Sequence, residues 1–148
     1  MGQTYISWGG VTSALTSPLA GVAVTTTTKT LLQVLPDPNY PAAVIEWGYL
    51  FLGSALPTAP IQVELVTTAT VFATVTAGSV TNWGNPTGPA SQATISTTAT
   101  GYNASAEGTI TSTRLLDQRA YPADWAKQFP LGREPKVTAG HSLRIRAT

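Results

Sequence analysis

Side-chain catalysis needs groups that titrate or attack. This chain of 148 residues offers one histidine, no cysteine and seven carboxylates. The acids, Asp37, Glu46, Glu64, Glu107, Asp117, Asp124 and Glu134, are scattered and follow no acid–base spacing. His141 follows Gly140 at the entry to the last apolar-alternating segment, where a turn residue or a partner contact is the expected role. Serines are plentiful, but no Gly-x-Ser-x-Gly motif selects one as a nucleophile. A glycosidase pair would need two acids facing across a cleft, which spacing alone does not indicate. No catalytic residue is assigned, and the chain reads as non-enzymatic.

The inventory is equally thin for cofactors. Histidine and cysteine counts exclude the usual zinc sets, and no acidic loop has EF-hand spacing, although calcium between distant carboxylates stays open. Trp8-Gly9-Gly10 and Thr138-Ala139-Gly140 lack the spacing and the following helix of a phosphate loop, so these glycines are expected in turns. No metal and no cofactor are expected. The tryptophans Trp8, Trp47, Trp83 and Trp125 have the chemistry to stack on sugars or bases, but core and interface anchors are the expected use. Basic residues gather between Arg114 and Arg146, interleaved with Asp117, Asp124 and Glu134, a mixture that argues against nucleic acid. Glu46, inside Val44-Ile45-Glu46-Trp47-Gly48-Tyr49, is expected half-buried and in need of a cation such as Arg114, Arg144 or Arg146.

The elements that must position these residues are strands. Period-two alternation and β-branched residues recur from end to end, and no window carries a helical apolar stripe. Strands are expected over residues 4–8, 21–26, 29–35, 43–52, 61–67, 70–76, 94–100, 108–115 and 142–147. Ile61, Val63 and Leu65 alternate with Gln62 and Glu64, which predicts one face in and one out. Leu143 and Ile145 alternate with Arg144 and Arg146, so both guanidinium groups are expected to face solvent or another chain. Breakers at 36–41, 57–60, 82–89 and 121–124 mark loops, the last a candidate for a short helical turn. Trp83 inside the long connection 81–92 predicts a folded loop or a subunit contact.

Only 10% of the residues are charged, against about a quarter in ordinary soluble domains. Such a surface repels other proteins weakly and is covered at low desolvation cost, which suits assembly. Residues 43–52, the most apolar stretch, are interrupted by Glu46 and fall short of a bilayer span, so no membrane partner is expected. The start Met-Gly-Gln-Thr-Tyr-Ile lacks the basic and apolar regions of a signal peptide. Residues 1–28, without a charge, read as an N-terminal arm or the first strands, with the arm across a neighbouring subunit. Residues 29–148 read as a single β-sandwich domain. About eight or nine short strands separated by turns predict an all-β fold, an antiparallel, jelly-roll-like two-sheet sandwich.

The segment Lys127-Gln128-Phe129-Pro130-Leu131-Gly132-Arg133-Glu134-Pro135, followed by Val137, Ala139-Gly140 and Leu143-Arg144-Ile145-Arg146, resembles small virion proteins of tailed bacteriophages that infect actinobacteria. Glu46-Trp47-Gly48-Tyr49 and the stretch from Gly101 to Thr109 fit the same resemblance, which spans residues 29–147. The resemblance implies a capsid decoration or minor capsid protein on the outer capsid surface, bound to the major capsid protein and commonly a homotrimer. It brings no catalytic residue. The expected protein contacts are Trp83, Trp125, Arg133, Arg144 and Arg146. A carbohydrate- or receptor-binding domain of a tail fibre or surface appendage is the alternative reading, and a β-fold hydrolase the third.

Overall fold

The computed structural model describes residues 3–10, 21–52, 59–69, 71–85, 87–110, 112–120 and 124–148. These residues form twelve strands and no helix. Six of the strands make one antiparallel sheet: β2 (Lys29–Val34), β5 (Gln62–Ala69), β6 (Thr74–Ala77), β8 (Gly101–Ala106), β9 (Ser112–Ala120) and β12 (Ser142–Ala147), in the order β6-β8-β2-β12-β5-β9. The other six pair as two-stranded antiparallel ladders, β1 (Tyr5–Ser7) with β7 (Val80–Asn82), β4 (Glu46–Leu50) with β10 (Asp124–Gln128), and β3 (Ala42–Ala43) with β11 (Lys136–Val137).

β12 lies between β2 and β5, and its alternation decides what the sheet covers. Register pairs Ala147 with Val63 and Ile145 with Leu65, so these aliphatics share one face. There Val63, Leu65 and Ala147 form a core with Val44, Trp47, Phe129 and Val137, against which Leu143, Ile145, Leu116 and Trp125 pack. The β4–β10 and β3–β11 ladders thus close the apolar side of the main sheet.

The opposite face is not left to solvent. Val66 and Thr68, whose parity matches Gln62 and Glu64, are as buried as Val63 and Leu65, which corrects the expectation of one face in and one out. Gln33 of β2 is fully buried there and bonds like a strand neighbour: its Oε1 accepts from Ala73 N (2.9 Å), and its Nε2 donates to the carbonyls of Ala73 and Ala99. A polar side chain can occupy this position because every atom of the amide has a backbone partner.

Local chemistry explains the remaining departures. Residues 43–52 break into β3 and β4. Residues 21–26 form no strand, and 94–100 contribute only the isolated Ile95–Thr100 bridge. β8 was not anticipated, because Gly101, Asn103 and Ser105 are poor strand formers. Yet Gly101 is required in it: a Cβ there would overlap the Thr76 carbonyl oxygen and the Val75 side chain of β6. Asn103 sits in the left-handed region at φ 51°, beside the register shift between Thr74 and Thr76. The candidate helical turn at 121–124 lies outside the described residues except Asp124, which begins β10. Residues 5–7 of the expected arm pair with β7 of the same chain.

Candidate functional site

Arg144 and Arg146 project from the face of β12 opposite the apolar core. Arg144 is fully buried. Its Nη2 donates to the Val71 carbonyl (2.9 Å), its Nη1 to the Glu107 carbonyl (3.1 Å) and its Nε to Ser142 Oγ (3.3 Å), with the Glu107 carboxylate 3.7 Å away. Glu107 in turn accepts from both the backbone N and the hydroxyl of Thr30, which ties β2 into the same cluster. Burial pushes the Arg144 guanidinium below its ordinary value; Glu107 pulls it back up and neighbouring Arg146 lowers it further. Arg146 bonds Glu64 across the β12–β5 register at 2.6 Å. The expectation that both arginines face solvent or a partner is therefore corrected: Arg144 clamps the segments at Val71 and Glu107 to the sheet, and Arg146 is mostly covered and paired within the chain.

Glu46 is exposed, contrary to the half-buried ion pair expected of it. Trp47 takes the inward position of β4, and alternation turns its neighbour outward. The acids that do find cations are Glu64, Glu107 and Asp117. Asp117 Oδ2 accepts from Lys127 Nζ (2.9 Å) and from Trp47 Nε1 (3.1 Å). Partial burial opposes its charge, but these bonds and one from Gln118 N outweigh it, so the carboxyl lies below the usual aspartate range.

Trp125 joins the core edge, its ring T-shaped on Trp47 with centroids 4.9 Å apart, and the Arg119 guanidinium lies 4.8 Å from its centroid. It is half-buried by its own chain, so it offers an edge rather than a free ring. Burial raises the phenol of Tyr49 in the same aromatic group, with Arg119 pulling it down.

Two expected contacts do stand at the surface. Arg133 closes a turn by donating its N–H to the Pro130 carbonyl (2.9 Å), with Gly132 at φ 81°. That geometry holds Leu131 at the apex, 97% exposed. Trp83 is 65% exposed, so packing of the indole, the ground for expecting a folded loop, is not what orders this connection; amide bonds do. Asn82 Nδ2 donates to Gln3 Oε1 (3.1 Å) and Pro89 O (3.4 Å), while Asn82 Oδ1 accepts from Asn85 N (3.0 Å). Leu131 carried no helical or strand signal of its own; the Pro130-to-Arg133 turn composition was the only cue available.

His141 lies in a turn closed by its own N–H donating to the Thr138 carbonyl (3.0 Å), with Nδ1 3.4 Å from Ala139 O. Among the described residues no three His, Asp or Glu side chains converge as a metal site, and no helix is long and apolar enough to cross a membrane. No protein-family model, curated protein or solved structure matches the chain.

Proposed function

We propose that this chain is a bacteriophage capsid decoration protein, a non-enzymatic accessory head protein that binds the major capsid lattice from outside as a homotrimer. The reading rests on the resemblance of residues 29–147 to small virion proteins, and one structural observation carries it further. The Pro130–Arg133 turn, inside the motif that bears the resemblance, spends a left-handed glycine on holding a leucine almost wholly in water beside Arg133. An apolar side chain presented at the apex of a hydrogen-bonded turn, next to an arginine, is the kind of anchor that a partner's pocket desolvates. Tyr40, 70% exposed, adds a second large protruding side chain. With few charges to strip of water, many such modest contacts repeated by symmetry bind collectively. In this reading the six-stranded sheet and the ladders over its apolar side act as the two layers of a jelly-roll-like sandwich.

Cryo-electron microscopy of the intact particle tests the proposal. Density for this chain between capsomers, and loss of most head-bound copies in Leu131→Asp with an unchanged melting temperature, are the expected results. Density on the tail, or absence of the chain from purified heads by mass spectrometry, sinks it.

A further inference from the structure

The β1–β7 ladder has an outer face of unusual chemistry. No charged residue occurs in residues 1–28 or in residues 65–106, and both strands lie in these stretches. Register sets Ile6 opposite Thr81, and the bond from Trp83 N to Thr4 O (2.9 Å) extends the ladder by one step. Tyr5, Ser7, Val80 and Asn82 have one parity and are half-buried. Ile6 and Thr81 have the other parity, Ile6 half-buried and Thr81 exposed, and Thr4, Trp8, Ser79 and Trp83, which flank the two strands, are all exposed and continue that parity at the ladder's ends. Trp83 stands beside Thr4 at one end and Trp8 follows Ser7 at the other, which separates their backbones by about 13 Å at roughly 3.3 Å per residue. Trp8 is 46% exposed. Among the described residues the adjoining loop is fixed by bonds from Tyr5 and Asn82 to the Pro89 carbonyl, from Asn85 N to Asn82 and from Thr87 to Asn85, and the Trp83 ring takes part in none of these.

Two indoles held on a fixed, uncharged strip with hydroxyls between them match one class of ligand. A pyranose shows an apolar C–H face that seats on the electron-rich face of an aromatic ring, while its rim hydroxyls exchange hydrogen bonds with neutral partners. Neither strand carries a cation that would neutralise a phosphate or sulfate chain. A protein partner would bury the two indoles as well, but finds little aliphatic area beside them except Ile6, and that outcome is one arm of the experiment. We propose that this face binds a neutral, linear polysaccharide, with Trp83 and Trp8 as stacking platforms several sugar residues apart and Thr4 and Thr81 as hydroxyl partners. The site is separate from the Leu131 tip and does not depend on the virion reading.

Isothermal titration calorimetry of the whole chain against hydroxyethylcellulose, glucomannan and dextran, with polygalacturonate as the charged control, tests it. Binding to at least one neutral polymer is expected. Trp83→Ala should weaken it about tenfold or more, Trp8→Ala should weaken it too, and Tyr40→Ala, a change at an exposed ring outside the face, should leave it within about twofold. Circular dichroism melts of the variants confirm the fold. Absence of binding to all three neutral polymers overturns the proposal, as does parental affinity in both tryptophan variants. If binding is absent and Trp83→Ala instead lowers co-sedimentation with phage heads, the face is a protein contact and the saccharide assignment falls.

Discussion

The two arginines of β12 and the two tryptophans flanking the β1–β7 ladder are both pairs of large side chains at positions of like parity, yet the fold treats them in opposite ways. Arg144 and Arg146 are drawn inward, one fully buried and one nearly so, and each is matched with an acid of the same chain. Trp8 and Trp83, which would release apolar surface from water if buried, stand outward. The difference teaches what the charges of β12 do: with Glu107 and Glu64 they bind the chain's own segments together, whereas the uncharged part of the sequence supplies the presented aromatic surface.

Removing the buried cation should have the largest effect. Arg144→Ala strips three hydrogen bonds, leaves two carbonyls without their donor and takes the cation from a Glu107 carboxylate that keeps only its bonds from Thr30, a loss of about 2–4 kcal/mol in urea unfolding. Combining Arg144→Met with Glu107→Gln should recover a large part of it, since no uncompensated charge then remains. A double variant as unstable as the alanine change would show that the charge pair is not what matters.

Gly101→Ala comes next. The added methyl meets backbone of β6, so a loss of about 1–3 kcal/mol is expected by overpacking. A melting temperature equal to the parent's would refute the close approach of β6 and β8.

A gain is expected at Val71, a β-branched residue held at φ 55° and 48% exposed. Val71→Asn keeps the carbonyl that Arg144 needs and relieves the left-handed strain, so stability should rise by about 1 kcal/mol. Destabilisation instead would mean that the valine methyls shield the Arg144 clamp over Gly108, which they approach.

At Asp117 the expected effect is smaller and depends on pH. Its folded carboxyl lies below the unfolded value near 3.9, so its contribution is complete above about pH 4 and fades as the pH falls through the folded pKa. Lys127 is partly exposed, so screening limits the pair to less than about 1 kcal/mol. Asp117→Asn should therefore flatten the acid limb of a stability–pH curve by that amount, and an unchanged limb would assign the acid sensitivity elsewhere. Trp83→Ala sits at the end of the scale, within about 0.5 kcal/mol of the parent by thermal melt, because the ring lies outside the bonds that fix its loop. A larger loss would make that tryptophan part of the fold.

Several of these features were legible before any coordinates. β2 was legible from its β-branched and aliphatic content, since Thr30, Leu31, Leu32 and Val34 do not alternate. Alternation located β12 to the residue and β5 to within two residues, because Leu143 and Ile145, and Ile61, Val63 and Leu65, recur at a period of two. It also separated Leu143 and Ile145 from Arg144 and Arg146 correctly. It failed to say that the arginine face is covered, since the cover comes from Val71 and Glu107, remote in sequence and brought over only when the sheet forms. β8 escaped notice because its stability lies in pairing with strands on both sides rather than in its own residues. Of the five expected contacts, Arg133 and Trp83 stand exposed, Trp125 is half-spent in the core edge, and Arg144 and Arg146 are engaged inside.

The sequence by itself determined the all-β class, the strands with the strongest period and the scarcity of charge, because backbone propensity, parity and composition are properties of neighbouring residues. Only the tertiary structure decided which acid meets which arginine, that both faces of the main sheet are covered, and which tryptophans remain in water. Those depend on strand order and register, and register is set by contacts between segments that the chain brings together from tens of residues apart.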